Sequence, residues 1–581
     1  MNRLVPRHFL LLLSSAVLAA CASMTAPPDA PPSAPAPSAL KSTSTVNAAT
    51  VAVKVLAIND FHGNLMPPAG GIKLRDPQTG ETLTLGAGGA ERMATVVQAL
   101  KAKNPNHVFV AAGDLVGASP LLSALFHDEP TIESLGLMGL DLSAVGNHEF
   151  DQGLTELLRK QNGGCHLKDG CKGPTPFTGA RYQYLAASTI DTATGRPVLP
   201  AYSIKRFDGV PVGFIGLTLK DTPNLVSPTG VAGLRFDDEA QTVNRLVPEL
   251  QRQGVHTVVV LIHEGGVPTG SYNECPGISG PIVDIVKQLD PSVGLVVSGH
   301  THRAYNCRID GRLVTSGDKY GTLVSEIDLQ IDRRSGRLVE ARAENLVVRP
   351  EIAKDPAQTA LIASYQRLAN PLIERPVGFL ARPLSKEDGD RDKGGGTTMG
   401  QLVADAMLAS TAASSAGGAQ LALTNIGGVR TGLIRRDDGR VTFGDLFAAL
   451  PFSNALVVME YTGAQLREVL EQQWQVNDSR FLPLQVSQGF SYRWDKRRPA
   501  GQRILPDSLM LNGQPITSDQ KLRVTINAFL QAGGDGFTTL TKGRLVQTGP
   551  MDVDALETYF KLQGTTPVQP SLLTRSVRID D

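Results

Sequence analysis

The sequence has no run of about 20 consecutive apolar residues, so no segment of the body is expected to span a bilayer. It also has no excess of either charge. Lys+Arg and Asp+Glu number 56 each among 581 residues. That balance removes the general attraction on which duplex nucleic-acid binding rests, and no nucleic-acid duplex is expected as a partner. Nor does any segment call for an obligatory protein partner. Aromatic residues make up only 5 % and cysteines number five, with no C-x-x-C spacing, which argues against a thiolate zinc site. Glycine (59) and proline (38) are plentiful, as suits many tight turns between short elements. With 41 % hydrophobic residues the chain has ample core material, and a disordered body is excluded. The length allows three or four domains at about 150 residues each, or fewer if large α/β units are present.

The first 50 residues read as an address and a tether. Arg3 and Arg7 precede an apolar stretch from Phe9 to Ala20, too short for a spanning helix and typical of an export signal. The stretch closes on Leu18-Ala19-Ala20-Cys21, which resembles a bacterial lipobox. Residues 1–21 are therefore expected to be a lipoprotein signal peptide with Cys21 as the lipidated residue; an ordinary secretory peptide is the alternative. Ala22 offers no acidic retention signal, so a lipid anchor in the outer membrane, facing the periplasm, is the expectation. Residues 22–50 hold six prolines between Pro27 and Pro37 and read as a semi-extended spacer. Four cysteines remain: Cys165, Cys171, Cys275 and Cys307. In an exported chain an even number favours disulfides. Pairing Cys165 with Cys171 and Cys275 with Cys307 is preferred among three connectivities.

Beyond the tether the chain reads as two unlike halves. In residues 51–350, short β-branched runs such as Val258–Ile262 alternate with helical stretches, and runs apolar on both faces suit strands buried between helices, hence an α/β unit. Residues 351–378 form a linker. Its bridging helix starts at the cap-type Asp355 with Pro356 behind it, carries Leu361, Tyr365 and Leu368 at helical spacing, and stops at Asn370-Pro371. Residues 379–581 mix helices with strands, an α+β unit.

The chemistry-bearing residues follow the strands of the first half. Asp60 and His62 come after one apolar run, Gly113-Asp114 after another, and Gly146-Asn147-His148-Glu149-Phe150-Asp151 after a third. His263-Glu264 and Gly299-His300-Thr301-His302 close two more. In an open α/β sheet, ligand sites lie beyond the carboxyl ends of strands, so these clusters converge on one crevice. Asp and His supply oxygen and nitrogen ligands, and a shared carboxylate can bridge two cations about 3.5–4 Å apart. Five of only ten histidines fall in these clusters. Any one of them alone is more often an ordinary hydrogen-bonded core histidine; five in this arrangement are not.

In this order the motifs D-x-H, G-D, G-N-H-E-x-D, H-E and G-H-T-H resemble the calcineurin-like metallophosphoesterases. In the second half, Asn425-Ile426-Gly427-Gly428-Val429-Arg430, Pro451-Phe452-Ser453-Asn454 and the stretch from Phe529 to Phe537 narrow the resemblance to the bacterial 5′-nucleotidase and UDP-sugar hydrolase family. It covers about residues 51–545. It implies a four-layer α/β metallophosphoesterase domain and a separate C-terminal nucleotide-binding domain, the latter rotating to carry substrate to the metals. It also implies two divalent ions (Zn, Mn, Co or Fe), one held by Asp60, His62, Asp114 and His302, the other by Asp114, Asn147, His263 and His300. By the same resemblance His148 stabilises the transition state with Asp151 orienting it, and Phe452 and Phe529 sandwich a nucleobase. Asp535 holds the ribose, while Asn425, Gly428 and Arg430 contact phosphate or nucleoside. Glu149 has no clear role beyond starting a helix or supporting a neighbour.

Two departures from the family stand out. Residues 394–401 (Gly-Gly-Gly-Thr-Thr-Met-Gly-Gln) carry no charge where relatives place phosphate-gripping arginines, and only Arg391 and Lys393 lie nearby. Ser188 stands where relatives often carry Asn. The expected function is hydrolysis of nucleotides by metal-activated water. The alternatives are UDP-sugars, 2′,3′-cyclic nucleotides or sulfur esters on the same architecture, or a non-catalytic lipoprotein that binds a nucleoside or metal.

Overall fold

A computed structural model describes residues 49–75, 79, 81–389, 394–474 and 481–579. The expected signal peptide, the lipidation site Cys21 and nearly all of the tether lie outside the described residues, as do Arg391 and Lys393. Among the described residues no helix is long and apolar enough to cross a membrane.

Two six-stranded sheets form the centre of the first half. In one, Thr50–Ile58, His107–Ala112, Leu142–Ala144 and Gln183–Leu185 run parallel, and the hairpin Leu323–Asp332/Leu338–Val347 closes the edge beside Thr50–Ile58. In the other, Val210–Thr218, Thr257–His263, Val293–Ser298 and Arg312–Gly317 are parallel, flanked by the antiparallel Tyr202–Phe207 and Ala304–Ile309. Val55, Val110 and Leu142 from the first sheet share one buried cluster with Phe214, Val259 and Val297 from the second. The sheets therefore pack face to face. Helices Ala90–Lys101 and Glu129–Leu137 cover one outer face, and Glu239–Arg252 and Pro281–Lys287 cover the other. The result is the expected four-layer α/β unit. Its strands lack alternation because both faces are buried.

The bridging helix runs Pro356–Ile373, passing through Pro371 rather than stopping before it. A proline in the last turn forfeits a single backbone bond, so the helix continues. Asp355 caps it by accepting from Gln358 N at 2.9 Å. The buried face is Ile362, Tyr365 and Ala369, while Leu368 is 51 % exposed. Tyr365 Oη donates to Glu133 and Gln358 Nε2 to Ser134 O, which fixes the helix to the first half. Only Glu374 and Arg375 separate it from the strand Pro376–Phe379 of the second half.

The second half centres on a five-stranded sheet in the order Leu484–Val486, Leu421–Asn425, Lys521–Asn527, Ala455–Thr462, Arg544–Met551. Helices Thr398–Thr411 and Asp552–Gln563 pack on it. Thr397 Oγ1 accepts from Gly400 N at 3.0 Å and starts the first of these. The two halves are continuous: Leu121, from a one-turn helix of the first half, is buried in the core of the second.

Candidate active site

Asp60, Asp114, Asn147, His263 and His300 each follow the carboxyl end of a central strand, and the two sheets bring them into one crevice. The local backbone is strained there. Asp60, His62, Asp114, His300 and His302 all have positive φ, between 46° and 68°, a region that costs a non-glycine residue of order 1–3 kcal/mol. Such strain persists only where surrounding contacts over-determine it. Three of these contacts start from backbone N–H groups: Asp60 N to Gly113 O (3.1 Å), His62 N to Asp114 O (3.0 Å) and His300 N to the Asp60 side chain at Oδ2 (2.9 Å).

The side chains form three overlapping groups, Asp60–His62–His302, His62–Asp114–His148 and Asp114–His263–His300. Backbone carbonyls set the tautomers. His62 Nδ1 donates to Gly117 O at 2.9 Å and His263 Nδ1 to Ala112 O at 2.8 Å, so each turns its Nε2 inward. His62 Nε2 then lies 3.1 Å from His302 Nε2, 3.8 Å from Asp60 Oδ1 and 3.7 Å from Asp114 Oδ2. His263 Nε2 lies 2.9 Å from Asp114 Oδ2, and the buried Asn147 Oδ1 makes no hydrogen bond.

Lone pairs turned towards one another need positive charge between them. A proton meets part of that demand at His263, where burial opposes protonation but Asp114 raises its pKa to about 10. Asp114 is itself held well below the usual carboxylate range; burial opposes this and His263 and His148 outweigh it. Burial pushes His62 and His302 well below the ordinary imidazole range, so they sit there neutral. One proton bridges one pair, whereas divalent cations serve the whole set. The borderline N/O donors fit Zn, Mn, Co or Fe.

His148 opens a short 3-10 turn, His148–Phe150, and its Nδ1 lies 2.8 Å from Asp151 Oδ2. Burial opposes protonation of this imidazole, but Asp151 and then Asp114 outweigh it and raise its pKa. Gly117 must be glycine, because a Cβ there would fall 2.7 Å from His148 Cβ and 2.8 Å from Asp151 Oδ2.

Two supporting residues were not assigned from sequence. Glu149 is buried and accepts three backbone N–H groups, from Asp114 (3.0 Å), Leu115 (2.8 Å) and Gly146 (2.6 Å), so it ties the Asp114 loop to the Asn147 loop. Burial and then the Asp114 charge push its pKa up to about 7. Asn59 donates to Asp60 Oδ2 at 2.7 Å and to Asp318 O at 2.7 Å, fixing the Asp60 carboxylate. An acid between His148 and Asp151 was a signal for Glu149, but its three partners are set by tertiary folding. Ser188 bonds Thr218 on both sides, donating to its carbonyl at 2.8 Å and accepting from its N–H at 3.0 Å, a purely structural link.

The second half supplies the roof of a cleft of about 1650 Å³, which Asn147, His148, Asn425, Gly428, Arg430, Phe452, Phe529 and Asp535 all line. The Phe452 ring lies parallel to that of His148, 5.6 Å between centroids, and the Arg430 guanidinium is 5.8 Å from the Phe452 ring. Arg430 Nε is buried without a hydrogen bond, a donor ready for an anion. Asn425 Nδ2 donates to Asp535 Oδ2 at 2.7 Å and Asn425 Oδ1 accepts from Asn527 at 3.0 Å. The Phe529 ring presses on Gly534, where a Cβ would lie 2.4 Å from Cζ.

Residues 394–396 do not join this roof. Gly395 packs on Pro483 and Phe481, and Gly394 O accepts from Ser576. Among the described residues the cations lining the cleft are Lys160, Lys220, Arg303 and Arg430. Away from the cleft, disulfides join Cys165 to Cys171 and Cys275 to Cys307.

Comparison with known proteins agrees with this geometry. Residues 53–304 match the calcineurin-like phosphoesterase family and residues 376–542 the 5′-nucleotidase C-terminal domain. The chain is 32 % identical over 514 residues to endonuclease YhcR of Bacillus subtilis, covering 88 % of this chain but only 40 % of that longer protein. It is 31 % identical to cell wall protein Lmo0130 of Listeria monocytogenes, over 88 % of this chain and 67 % of the relative. Among solved structures, a 5′-nucleotidase precursor from Thermus thermophilus superposes with a TM-score of 0.74 at 26 % identity, over 91 % of this chain and all of that one. With both domains in the family's order and the metallophosphoesterase side chains gathered beneath the C-terminal domain, the chain belongs to the 5′-nucleotidase family of calcineurin-like phosphoesterases.

Proposed function

We propose that the protein hydrolyses phosphoesters of nucleotides outside the cytoplasm. The observation that carries this reading is the position of Arg430 and Phe452, from one half, directly over His148 and the metal-ligand cluster of the other. Asp60, His62, Asp114 and His302 would hold one divalent ion, and Asp114, Asn147, His263 and His300 the other. Such a pair supplies Lewis acidity, lowering the pKa of water and offsetting charge on phosphoryl oxygens. His148, kept protonated by Asp151, donates a hydrogen bond or a proton to the phosphoryl group or its leaving oxygen. Arg430 binds a phosphate oxygen through its orphaned Nε–H. Phe452 and Phe529 offer π-faces to a base, and Asp535, braced by Asn425, accepts from ribose hydroxyls.

The uncharged 394–401 stretch favours a second substrate reading. With Arg430 the single arginine from the second half in the cleft among the described residues, a phosphodiester with one negative charge per phosphorus, such as a UDP-sugar or a 2′,3′-cyclic nucleotide, is better matched than a dianionic monoester. Export rests on the Arg3–Cys21 signal and is supported by two disulfides. Lipid anchoring through Cys21, with a periplasmic outer-membrane location, completes the proposal. The test is hydrolysis by the reloaded protein of AMP, UDP-glucose, 2′,3′-cyclic AMP and glycerol phosphate, read by chromatography of the products because cutting a phosphodiester frees no inorganic phosphate. A preference for nucleotides is expected, and equal rates on glycerol phosphate would refute the nucleotide pocket.

A further inference from the structure

The cations that line the cleft differ in what they are tied to. Lys160 lies 3.5 Å from Asp128 Oδ2, and Lys220 lies 3.7 Å from Asp238 Oδ2. Arg430, from the second half, sits over the Phe452 ring. Arg303 comes from the first half, directly after the ligand-type His302, and is exposed. Among the described residues it forms no ion pair. The carboxyl within its electrostatic reach is Asp318, which already accepts from Thr322 Oγ1 at 3.2 Å and lies by Lys319.

The backbone beneath Arg303 is fixed. Thr301 Oγ1 donates to Gly266 O at 2.8 Å and His300 N to Asp60 Oδ2 at 2.9 Å. Ala304 then opens the strand Ala304–Ile309, whose Cys307 is bridged to Cys275. The guanidinium therefore starts from an anchored point beside the metal-ligand cluster, and only its own rotamers remain to be ordered. Exposure alone would make it plain surface charge, but two features favour a ligand. Residues 394–396 of the second half pack away from the cleft, so that half leaves Arg430 as its one arginine there among the described residues. The phosphate under attack is also matched already, because two divalent ions outweigh Asp60 and Asp114 by the charge of one phosphate dianion. A further unpaired arginine at this place suits a further anionic group. Elsewhere on the wall Asp221 and Glu239 bear on Glu264, a grouping that repels anions and leaves them to the arginines.

Resting on the nucleotide-hydrolase reading above, we propose that Arg303 determines specificity by holding a second phosphate of the substrate, the one joined to the phosphate under attack. The guanidinium presents paired N–H donors in the fork that phosphate oxygens match, and its charge is permanent. The chain then favours nucleotides that contain a phosphate–phosphate link. A mononucleotide or a 2′,3′-cyclic nucleotide leaves Arg303 in water.

The test compares metal-loaded wild type with Arg303→Gln, Arg303→Lys and Lys220→Gln. The substrates are ADP and AMP, and the probe for calorimetric binding is the ADP analogue with a methylene group between its phosphorus atoms. In Arg303→Gln the ratio of kcat/KM for ADP over AMP is expected to fall about 10-fold and the Kd of the analogue to rise about 10-fold, the loss of one charge-assisted hydrogen bond. Arg303→Lys keeps the charge and should recover part of that loss, while Lys220→Gln should match the wild type. An unchanged ratio or an unchanged Kd in Arg303→Gln would overturn the proposal, and so would an equal loss in Lys220→Gln. If the wild type binds the analogue with this dependence on Arg303 but cuts neither nucleotide, the inference stands and the hydrolase reading fails.

Discussion

The rings of His148 and Phe452 lie face to face, 5.6 Å between centroids and 18° from parallel, although they belong to opposite halves of the chain. One face of Phe452 is therefore taken by the imidazole proposed to act on the phosphoryl group, while Phe529 is not in this stack. The two phenylalanines should behave differently when removed. Phe529→Ala is expected to raise KM for nucleotides by about 5- to 150-fold, the 1–3 kcal/mol of one stacked base, with kcat little changed. Phe452→Ala should raise KM similarly and also lower kcat, because His148 loses its neighbour. Steady-state kinetics of both variants checks this.

Asp151 holds the Nδ1 side of His148 at 2.8 Å. Asp151→Asn keeps the shape and removes the charge that sustains the imidazolium. A fall in kcat of about 10²-fold, at the lower end of general acid–base contributions, is expected with metal content unchanged. A variant with wild-type kcat would show that His148 works without this carboxylate.

Glu149 accepts three buried N–H groups that belong to the Asp114 and Asn147 loops. In Glu149→Ala these donors lose their partner, at about 1–3 kcal/mol each. The variant is expected to unfold at least 5 °C lower and to retain less of the catalytic metal after desalting. Calorimetry and metal analysis measure the two effects separately.

The legibility of these features in the sequence follows from how local they are. Asp60, Asp114, His148 and His263 could be read because each sits at the end of a strand and its neighbours in the chain announce it. Glu149 stood in the same motif, but its role depends on Leu115 and Gly146, which only the folded loops bring together. The positive φ at Asp60 and His302 left no mark in composition. The helix expected to stop at Asn370-Pro371 runs on to Ile373 because a proline in the last turn forfeits a single backbone bond.

Asp552 gives a pH dependence away from the metal site. It is 5 % exposed at the start of the helix Asp552–Gln563. Burial raises its pKa to about 7, against the lowering effect of the Val553 N–H at 2.8 Å. The unfolded chain releases this proton near pH 4 and the folded chain holds it to about 7. Between those values the native state binds more protons, so stability falls as pH rises through that window. At about 1.4 kcal/mol per pH unit the loss is of order 4 kcal/mol. Asp552→Asn should match the wild type near pH 4 and have the higher Tm at pH 8. Equal Tm values at pH 8 would contradict this.

The most direct test of the central claim is phosphate release from nucleotides by protein stripped with chelator and then reloaded with Mn²⁺ or Zn²⁺, beside His148→Ala treated identically. The account predicts that stripped protein is inactive and that reloading restores turnover in the wild type. The variant should take up the same ions and remain at least 10²-fold slower. Turnover by stripped protein at the reloaded rate, or full restoration of the variant, would contradict it.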